Sequence, residues 1–444
     1  MTFDSTTIMV VASLASVATL GIGIEHKRHT HSRRAFTKAE AEGRPDPPTI
    51  YPLIDPTLCI ACGSCVAACP ENGVLRVVNG RARLVDAAHC VGHGRCKPVC
   101  PTQAIELVFG TAKRGVLVPS LGADLQSSVP GIYVAGELGG FGLIRTAVTQ
   151  GVQAVDNLKA TPIHDPSVVD VAIVGAGPAG IAAALACRER GLSHIVLDQD
   201  GLGGTVNHYP RRKLVMTAPV KLPVVGPMDF REVLKEELIE FWEKVVAKAD
   251  IKLNGSVKVT DITREGERLR LKWKDGDQLA QRVILATGRR GSPRKLGVPG
   301  EETEKVAYRL IEPDQFTGQR VIVVGGGNCA VEGAMSLAEA GAQVVLSHRG
   351  DRYTSVAAGN LTKLETERGP SLEVLLNSQV RRIETDRAEI KDESGERSIG
   401  NDYVFVMIGG ELPTKFLEKI GVETTTYYGE PPRAPKAAPA SSAA

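Results

Sequence analysis

The sequence predicts an α/β protein, and three observations lead to that prediction. A short apolar strand runs into a glycine-rich turn and a helical stretch at residues 170–187, and the pattern recurs at 320–340. Two runs of cysteine and histidine between residues 59 and 101 each end in Cys-Pro, and an uncharged stretch at 5–24 precedes them. We therefore expect two βαβ domains on parallel sheets, a small α+β module and one N-terminal transmembrane helix.

Composition limits the classes to which the chain can belong. Its 444 residues suffice for two or three domains. Lys and Arg number 53 and Asp and Glu number 51, and a formal charge of +2 does not indicate a nucleic-acid partner. Seven of the nine cysteines lie in the two runs, whereas Cys187 and Cys329 are far apart. A disulfide framework is therefore disfavoured, and a reducing compartment is favoured.

The uncharged N-terminal stretch predicts a membrane anchor over residues 1–25. Twenty helical residues at 1.5 Å each span about 30 Å, the thickness of a hydrocarbon core. Asp4 precedes the stretch and Lys27 and Arg28 follow it, so the positive-inside rule keeps the remaining chain in the cytoplasm. We expect a single-pass protein of the cell inner membrane, with a linker over 26–48. Because Ser, Thr and Gly dilute the stretch, a disordered or interfacial leader is the alternative.

The first cysteine run predicts half of an iron–sulfur module over residues 49–108. Cys59, Cys62 and Cys65 are spaced so that three thiolates point at one cluster, and Cys69 is followed by Pro70. In such loops the fourth cysteine serves a second cluster. A zinc site is disfavoured, because zinc loops rarely repeat a four-ligand register with proline after both last cysteines. The run therefore predicts a bacterial-type two-cluster 4Fe-4S ferredoxin domain.

The second run repeats this spacing with one substitution. Histidine stands where the second cysteine belongs, and Pro101 follows the last cysteine. The imidazole of His93 is expected to ligate iron, as in Rieske centres, although an open corner and a 3Fe-4S cluster remain the alternative. In a two-cluster ferredoxin the ligands cross over between the runs. The predicted ligands are Cys59, Cys62, Cys65 and Cys100 for the first cluster, and Cys69, Cys90, Cys96 and His93 for the second.

The first glycine turn predicts a Rossmann-like dinucleotide-binding domain over residues 162–298. Gly175, Gly177 and Gly180 form G-x-G-x-x-G directly after a strand, and Asp198 ends the next strand. The first glycine permits the turn, the second admits a pyrophosphate, and the third lets the helix pack on the strand. Asp198 is suited to accept a hydrogen bond from a ribose hydroxyl.

The second glycine turn predicts another such domain over residues 299–400. Gly325, Gly327 and Asn328 open its helix, and the next strand ends in basic residues instead of an acid. Guanidinium groups at that position suit a 2′-phosphate, so NADPH is preferred over NADH. Asp351 opposes this assignment, and solvent-exposed arginines are the alternative. The residues predicted to select NADPH are His348, Arg349 and Arg352.

Two such domains with Ala286-Thr287-Gly288 between them resemble the flavoprotein reductases of the thioredoxin reductase type, within the pyridine nucleotide-disulfide family. The resemblance covers residues 116–422. It implies FAD in the first domain, NAD(P)H in the inserted second domain, and a return to the FAD domain over 401–424, before a disordered tail over 425–444. It also places Gly204 and Thr205 where relatives cover the flavin.

The family ends in a strand and a glycine–acid turn on the flavin, and here the order departs from the family pattern. That element stands upstream, at Gly136-Glu137, within residues 109–161. The resemblance therefore implies a circular permutation, which chain ends lying close together would allow. The cofactor-binding residues expected in total are Gly136, Glu137, Gly175, Gly177, Gly180, Asp198, Gly204, Thr205, Thr287, Gly288, Gly325, Gly327, Asn328, His348, Arg349 and Arg352.

These cofactors predict an electron relay. Nicotinamide transfers two electrons as hydride, clusters transfer one, and FAD does both. We expect a membrane-anchored NAD(P)H-dependent FAD and iron–sulfur oxidoreductase, with an unidentified protein electron carrier or a quinone as partner. A redox-sensing module without turnover is the alternative, and a homodimer is left open. The inserted domain lacks the redox-active C-x-x-C that thioredoxin reductases need there, and the F-x-G-x-x-x-H of flavin monooxygenases is absent between the two domains.

Overall fold

The computed structural model divides the chain into two compact units, Met1–Val108 and Phe109–Ala444. We describe each unit by itself. The residues that the structure describes are 19, 23, 27, 29–40, 47, 50–87, 90, 92–112, 114–158, 160, 165–216, 219–289, 292–354, 356 and 358–433.

The N-terminal unit is built from two antiparallel strand pairs and a short helix. The first pair joins the two ends of the module, with Tyr51 opposite Val108. The second is a hairpin whose Asn79-Gly80 turn has positive φ at both residues, as a two-residue hairpin turn requires. Its elements are β1 (Tyr51–Ile54), α1 (Ser64–Ala68), β2 (Leu75–Val78), β3 (Arg81–Leu84) and β4 (Ile105–Val108), and residues 29–40 are also helical.

The predicted transmembrane helix is wrong. Among the residues that the structure describes, no helix combines the length and the apolar character that crossing a bilayer requires. The helical residues 29–40 carry Arg33, Arg34, Lys38 and Glu40, which hydrocarbon does not tolerate. Most of the stretch 5–24 lies outside the described residues. The predicted inner-membrane location rested on that helix and is therefore also wrong.

The second unit contains a seven-stranded sheet in the order β13-β8-β7-β16-β15-β14, with β6 also paired to β16. Strands β7, β8 and β16 are parallel neighbours, and helix α3 joins β7 to β8 as the βαβ pattern predicts. Its elements are β5 (Val116–Pro119), β6 (Ile132–Val134), α2 (Ile144–Asn157), β7 (Val168–Val174), α3 (Pro178–Glu189), β8 (His194–Leu197), β9 (Leu214–Met216), β10 (Val220–Leu222), β11 (Gly226–Met228), β12 (Glu232–Leu234), α4 (Lys235–Lys248), β13 (Leu253–Asn254), β14 (Asp261–Glu265), β15 (Arg268–Trp273) and β16 (Gly276–Leu285).

Helices α2 and α3 pack tightly on this sheet. Gly151 of α2 makes the approach possible, because a methyl group in its place would lie 2.1 Å from the carbonyl oxygen of Ala179 in α3. Strand β6 runs parallel to β16, with Ile132 opposite Val283. The segment that precedes β7 in the chain is therefore an integral part of the first dinucleotide domain.

A second parallel sheet, in the order β18-β25-β19-β20-β21, is inserted after β16. An antiparallel sheet of β22, β23 and β24 accompanies it. The elements are β17 (Ser292–Pro293), β18 (Val306–Ala307), β19 (Arg320–Val324), α5 (Asn328–Glu339), β20 (Gln343–Ser347), α6 (Ala358–Glu367), β21 (Leu372–Leu375), β22 (Gln379–Ile383), β23 (Arg387–Asp392), β24 (Gly395–Gly400), β25 (Tyr403–Val406), β26 (Gly410–Glu411), α7 (Thr414–Lys419) and β27 (Thr424–Tyr427).

The first and last strands of the second unit pair with each other. Strand β27 is antiparallel to β5, and a bridge between Phe109 and Glu430 extends the pairing. The prediction of a disordered tail from residue 425 is therefore wrong at its start. Three threonines favour an extended strand there, and Tyr427 is buried against Phe109. Residues 434–444 lie outside the described residues.

Candidate functional site

The first glycine turn depends on glycine at two of its three positions. Gly175 has a φ of +114°, and a methyl group there would lie 2.4 Å from the carbonyl oxygen of Ala286. A methyl group at Gly180 would lie 1.8 Å from the carbonyl oxygen of Gly175, so this glycine lets α3 pack against the turn. These contacts bring strand β7, helix α3 and the end of β16 together at one point.

The remaining glycine of this turn, Gly177, faces the neighbouring backbone turn at Gly203-Gly204. A methyl group at Gly177 would meet no atom nearer than Cα of Gly204, at 3.9 Å. The amide of Gly203 donates to the carbonyl oxygen of Ala176 at 2.9 Å, which fixes the two turns side by side. The backbone at the start of α3 is thus left open to a ligand, and a helix N-terminus favours a phosphate.

Asp198 lies beside this turn, where the sequence predicts it. Its Oδ2 accepts from the amide of Ala176 at 2.7 Å, and its Oδ1 accepts from the amides of Asp200 and Gly201 at 2.7 and 2.8 Å. A carboxylate has about four acceptor positions, so one on Oδ2 remains for a ribose hydroxyl. The side chain therefore also holds the turn in shape, which its position in the sequence does not reveal.

The Gly136-Glu137 turn is packed against the start of α3. The amide of Gly136 donates to Oε1 of buried Gln150 at 2.9 Å, a contact between the turn after β6 and helix α2 that the sequence analysis missed. A methyl group at Gly136 would lie 3.0 Å from Cβ of Ala179. Every residue from 131 to 140 is buried except Glu137, whose side chain is partly exposed. The turn thus presents one carboxylate beside the first dinucleotide loop.

Three of the predicted residues converge at the crossing between the domains. A methyl group at Gly288 would lie 3.9 Å from Oε2 of Glu137 and 3.9 Å from Oγ1 of Thr205. Gly288 has a φ of +66°, which favours glycine. Thr287 precedes it, and its amide nitrogen would be 3.0 Å from a methyl group at Gly175. A carboxylate and a hydroxyl therefore border one small space next to the first glycine turn.

Arg289 adds a cation to this space, and the sequence analysis did not identify it. Its guanidinium donates to the carbonyl oxygen of Leu117 at 2.7 Å. Burial lowers the pKa of Arg289, while attraction to Glu137 acts in the opposite direction. The arginine ties β5 to the crossing segment and gives Glu137 a positive neighbour.

The second glycine turn has the same form. A methyl group at Gly325 would lie 2.4 Å from the carbonyl oxygen of Met407, whereas a methyl group at Gly327 would meet nothing within 4 Å. Open space therefore lies beside the start of α5. The side-chain oxygen of Asn328 accepts from the side-chain amide of Asn360 at 3.0 Å, which fixes the first residue of the helix.

The predicted selectivity residues lie at the end of β20. The ring of His348 covers Gly326, where a methyl group would be 2.1 Å from ring atoms, and it stacks on Tyr353 with centroids 4.9 Å apart. Burial lowers the pKa of His348, so the ring is neutral at pH 7. Arg349 and Arg352 are exposed on the adjoining loop. The structure thus places two solvent-accessible guanidinium groups next to the second glycine turn.

In the N-terminal unit, the cysteines line two cavities that follow the predicted crossover. The first cavity is lined by Cys59, Cys62, Cys65 and Cys100. The second is lined by Cys69, Cys90, His93 and Cys96. Each cavity therefore joins three ligands of one run to the last cysteine of the other.

The environments of these side chains set their protonation states. Burial raises the pKa of Cys90 to about 11 and that of Cys96 to about 12, so these thiols stay protonated until a metal displaces the proton. Burial also lowers the pKa of His93, which favours the neutral ring that ligates metal. Its Nε2 lies 3.8 Å from Oε1 of Glu71, a carboxylate suited to orient the ring.

Comparison with known proteins assigns both parts of the chain. Residues 172–433 match the family model of pyridine nucleotide-disulphide oxidoreductases, and residues 51–101 match a 4Fe-4S dicluster domain. A ferredoxin–NADP reductase of Ignicoccus hospitalis is 29% identical over 261 residues, which are 57% of this chain and 81% of that protein. A bacilliredoxin reductase of Bacillus subtilis is 28% identical, over 58% of this chain and 82% of that protein.

A solved structure is similar in fold. Bacillithiol disulfide reductase from Bacillus cereus aligns with a TM-score of 0.54 and 25% identity, covering 58% of this chain and 82% of that one. The predicted resemblance to this flavoprotein family, joined to a ferredoxin domain, is confirmed by these matches.

Proposed function

Because the chain belongs to the pyridine nucleotide-disulphide oxidoreductase family and carries a 4Fe-4S dicluster domain, we propose that it transfers electrons between NADPH and a one-electron protein carrier, through FAD and two clusters. One observation carries this proposal. The acid, hydroxyl and glycine predicted to hold the flavin, Glu137, Thr205 and Gly288, border a single space beside the first dinucleotide turn.

The residues of the first domain fit FAD. The open backbone at Gly177 and the start of α3 would hold the pyrophosphate, and Asp198 would accept from a ribose hydroxyl. Glu137 would bind the ribityl chain, with Arg289 beside it as an electrostatic neighbour. Bound FAD would supply the conversion between hydride transfer and single-electron steps.

The second domain fits NADPH. The space at Gly327 leaves the helix start accessible to a pyrophosphate, and Arg349 and Arg352 are exposed on the loop after β20, which we assign to a 2′-phosphate. Exposed arginines form bidentate contacts with phosphate at little desolvation cost. These features favour NADPH over NADH.

The cysteine content favours a one-electron carrier over a thiol substrate. Outside the two cluster runs the chain has only Cys187 and Cys329. Cys187 is fully buried in α3, and burial raises its pKa to about 12, so it is not available as a thiolate. A relative is named ferredoxin–NADP reductase, and we take the same type of partner for this chain.

Anaerobic stopped-flow spectroscopy tests the proposal. We expect NADPH to bleach the flavin absorbance faster than the same concentration of NADH does. A paramagnetic signal of reduced clusters should follow in the same sample. Flavin bleaching without cluster reduction would contradict the relay, and absence of both would favour a redox-sensing module without turnover.

We also infer that the first dinucleotide domain is circularly permuted. Strand β6 lies in the sheet beside β16, although it precedes β7 in the chain, and the pairing of β5 with β27 sets residues 109 and 430 side by side. A reordered chain that runs from 165 to 428 and then, through a short turn, from 115 to 160 should bind FAD as the natural chain does. Failure of this soluble reordered chain to bind FAD, measured by flavin fluorescence, would contradict the inference.

A further inference from the structure

A lysine of the first dinucleotide domain reaches the helix that opens the second glycine turn. Lys213 precedes β9, and its Nζ lies 2.5 Å from Oε2 of Glu332 in α5. The side chain is only 20% exposed. The amide of Arg211 donates to the carbonyl oxygen of Ile311 at 2.9 Å, which anchors this loop against the second domain. A mostly buried cation of the first dinucleotide domain therefore contacts a carboxylate of the second.

The surroundings keep this ammonium charged. Burial lowers the pKa of Lys213, but attraction to Cys329 and Glu332 outweighs burial and raises the pKa above its usual value. The ring of Tyr209 lies 4.8 Å from Nζ and adds a cation–π contact. Lys213 thus carries a full positive charge at neutral pH, close to Cys329 in the first turn of α5.

A row of polar side chains leads from this lysine to the helix start. Asn328 and Glu332 are four residues apart and share one face of α5. The side-chain amide of Asn360 joins them, since its Nδ2 donates to Oδ1 of Asn328 at 3.0 Å and to Oε1 of Glu332 at 2.8 Å. Lys213 completes the row at the other oxygen of Glu332. Glu332, which holds the ammonium, is thus four residues from Asn328, about 6 Å of helical rise from the helix start beside the open space at Gly327.

We propose that Lys213 is the cation that binds the pyrophosphate of NADP(H). When the nucleotide enters, the ammonium moves from Glu332 to the pyrophosphate. The proposal rests on the proposed function, which places a dinucleotide at the second glycine turn. A pyrophosphate carries two negative charges, and Arg349 and Arg352 stand at the end of β20, on the side assigned to the 2′-phosphate. An ammonium about one turn from the helix start would supply the missing countercharge. Lys213 would thus contribute to binding both NADPH and NADH.

A structural ion pair between Lys213 and Glu332 is the competing explanation, and the two make opposite predictions for one variant. If Lys213 serves the pyrophosphate, Glu332 competes with the nucleotide for it. Glu332→Gln then frees the lysine and tightens dinucleotide binding. If the pair only joins the two domains, the same substitution loosens the interface and does not tighten binding.

Calorimetric titration with NADP⁺, NAD⁺ and adenosine 2′-monophosphate tests the proposal on the full-length protein loaded with FAD. We expect Lys213→Gln to raise the Kd of both dinucleotides by the same factor, roughly tenfold or more for a lost charge-assisted contact. Binding of adenosine 2′-monophosphate, which has no pyrophosphate, should not change. Arg349→Ala should weaken NADP⁺ and the monophosphate and leave NAD⁺ unchanged. Lys221→Gln, at an exposed lysine of the same domain, is the matched control and should bind all three as the wild type does.

Two results would overturn the proposal. One is an unchanged Kd for both dinucleotides in Lys213→Gln, and the other is dinucleotide binding in Glu332→Gln that is unchanged or weaker. Should Lys213→Gln fail to fold, judged by flavin content and thermal unfolding, Glu332→Gln decides alone. A wild-type chain that binds neither dinucleotide would instead overturn the proposed function, and this inference with it.

Discussion

Replacing Gly180 by alanine is expected to destroy the first dinucleotide domain. The added methyl group would lie 1.8 Å from the carbonyl oxygen of Gly175 and 2.9 Å from its carbon, and neither backbone atom can move without separating α3 from β7. Overpacking in a rigid core typically costs about 1–3 kcal/mol, and a clash with backbone atoms belongs at the upper end of that range. We expect the variant to be purified without FAD and with a large loss of unfolding free energy in denaturant titration.

Gly177→Ala is the matched control in the same turn. Its methyl group meets no atom nearer than 3.9 Å, and the φ of −75° suits alanine. We therefore expect unfolding of the FAD-free protein to match that of the wild type, while FAD affinity falls because the methyl group occupies the space at the helix start. Equal stability of the Gly180 and Gly177 variants would show that the close contact at Gly180 does not hold the fold together.

The glycine turns could be predicted from sequence because their chemistry is local. A strand, a tight turn and a helix follow one another within about twenty residues, and only glycine satisfies the contacts at Gly175 and Gly180. The pairing of the cysteine runs stays a prediction, and it too rests on local spacing, which places three ligands on one loop. In the structure the two cavities contain the sets that spacing and crossover predict.

Contacts between distant segments could not be predicted in the same way. Lys213 and Glu332 are 119 residues apart, and nothing near either of them marks the pair. The bond from the Gly136 amide to Gln150 depends on how α2 lies on the sheet. Asp198 was predicted to be a ribose ligand, but its three bonds to backbone amides follow from the shape of the turn.

The substitution His93→Cys is expected to shift the potential of the second cluster by hundreds of millivolts. Replacing thiolate by neutral imidazole removes negative charge from a cluster, and Rieske centres show that this raises the potential by that amount. His93 lines the second cavity with Cys69, Cys90 and Cys96, and its lowered pKa favours the neutral ring. The wild-type second cluster should therefore be the electron sink of the pair, and the cysteine variant should lose that advantage.

Hydrogen bonds to sulfur in the first cavity reduce the difference between the two cluster potentials, but only weakly. In the first cavity the amide of Ala82 donates to Sγ of Cys59 at 3.4 Å, and the amide of Ala104 donates to Sγ of Cys100 at 3.3 Å. Such bonds raise the potential of the first cluster, but they change no ligand charge, so the ligand effect at His93 decides the order. Redox titration followed by paramagnetic resonance measures both clusters in wild type and variant. A three-iron signal in the wild type that His93→Cys converts to a four-iron signal would instead show that His93 stands beside an open corner and ligates nothing.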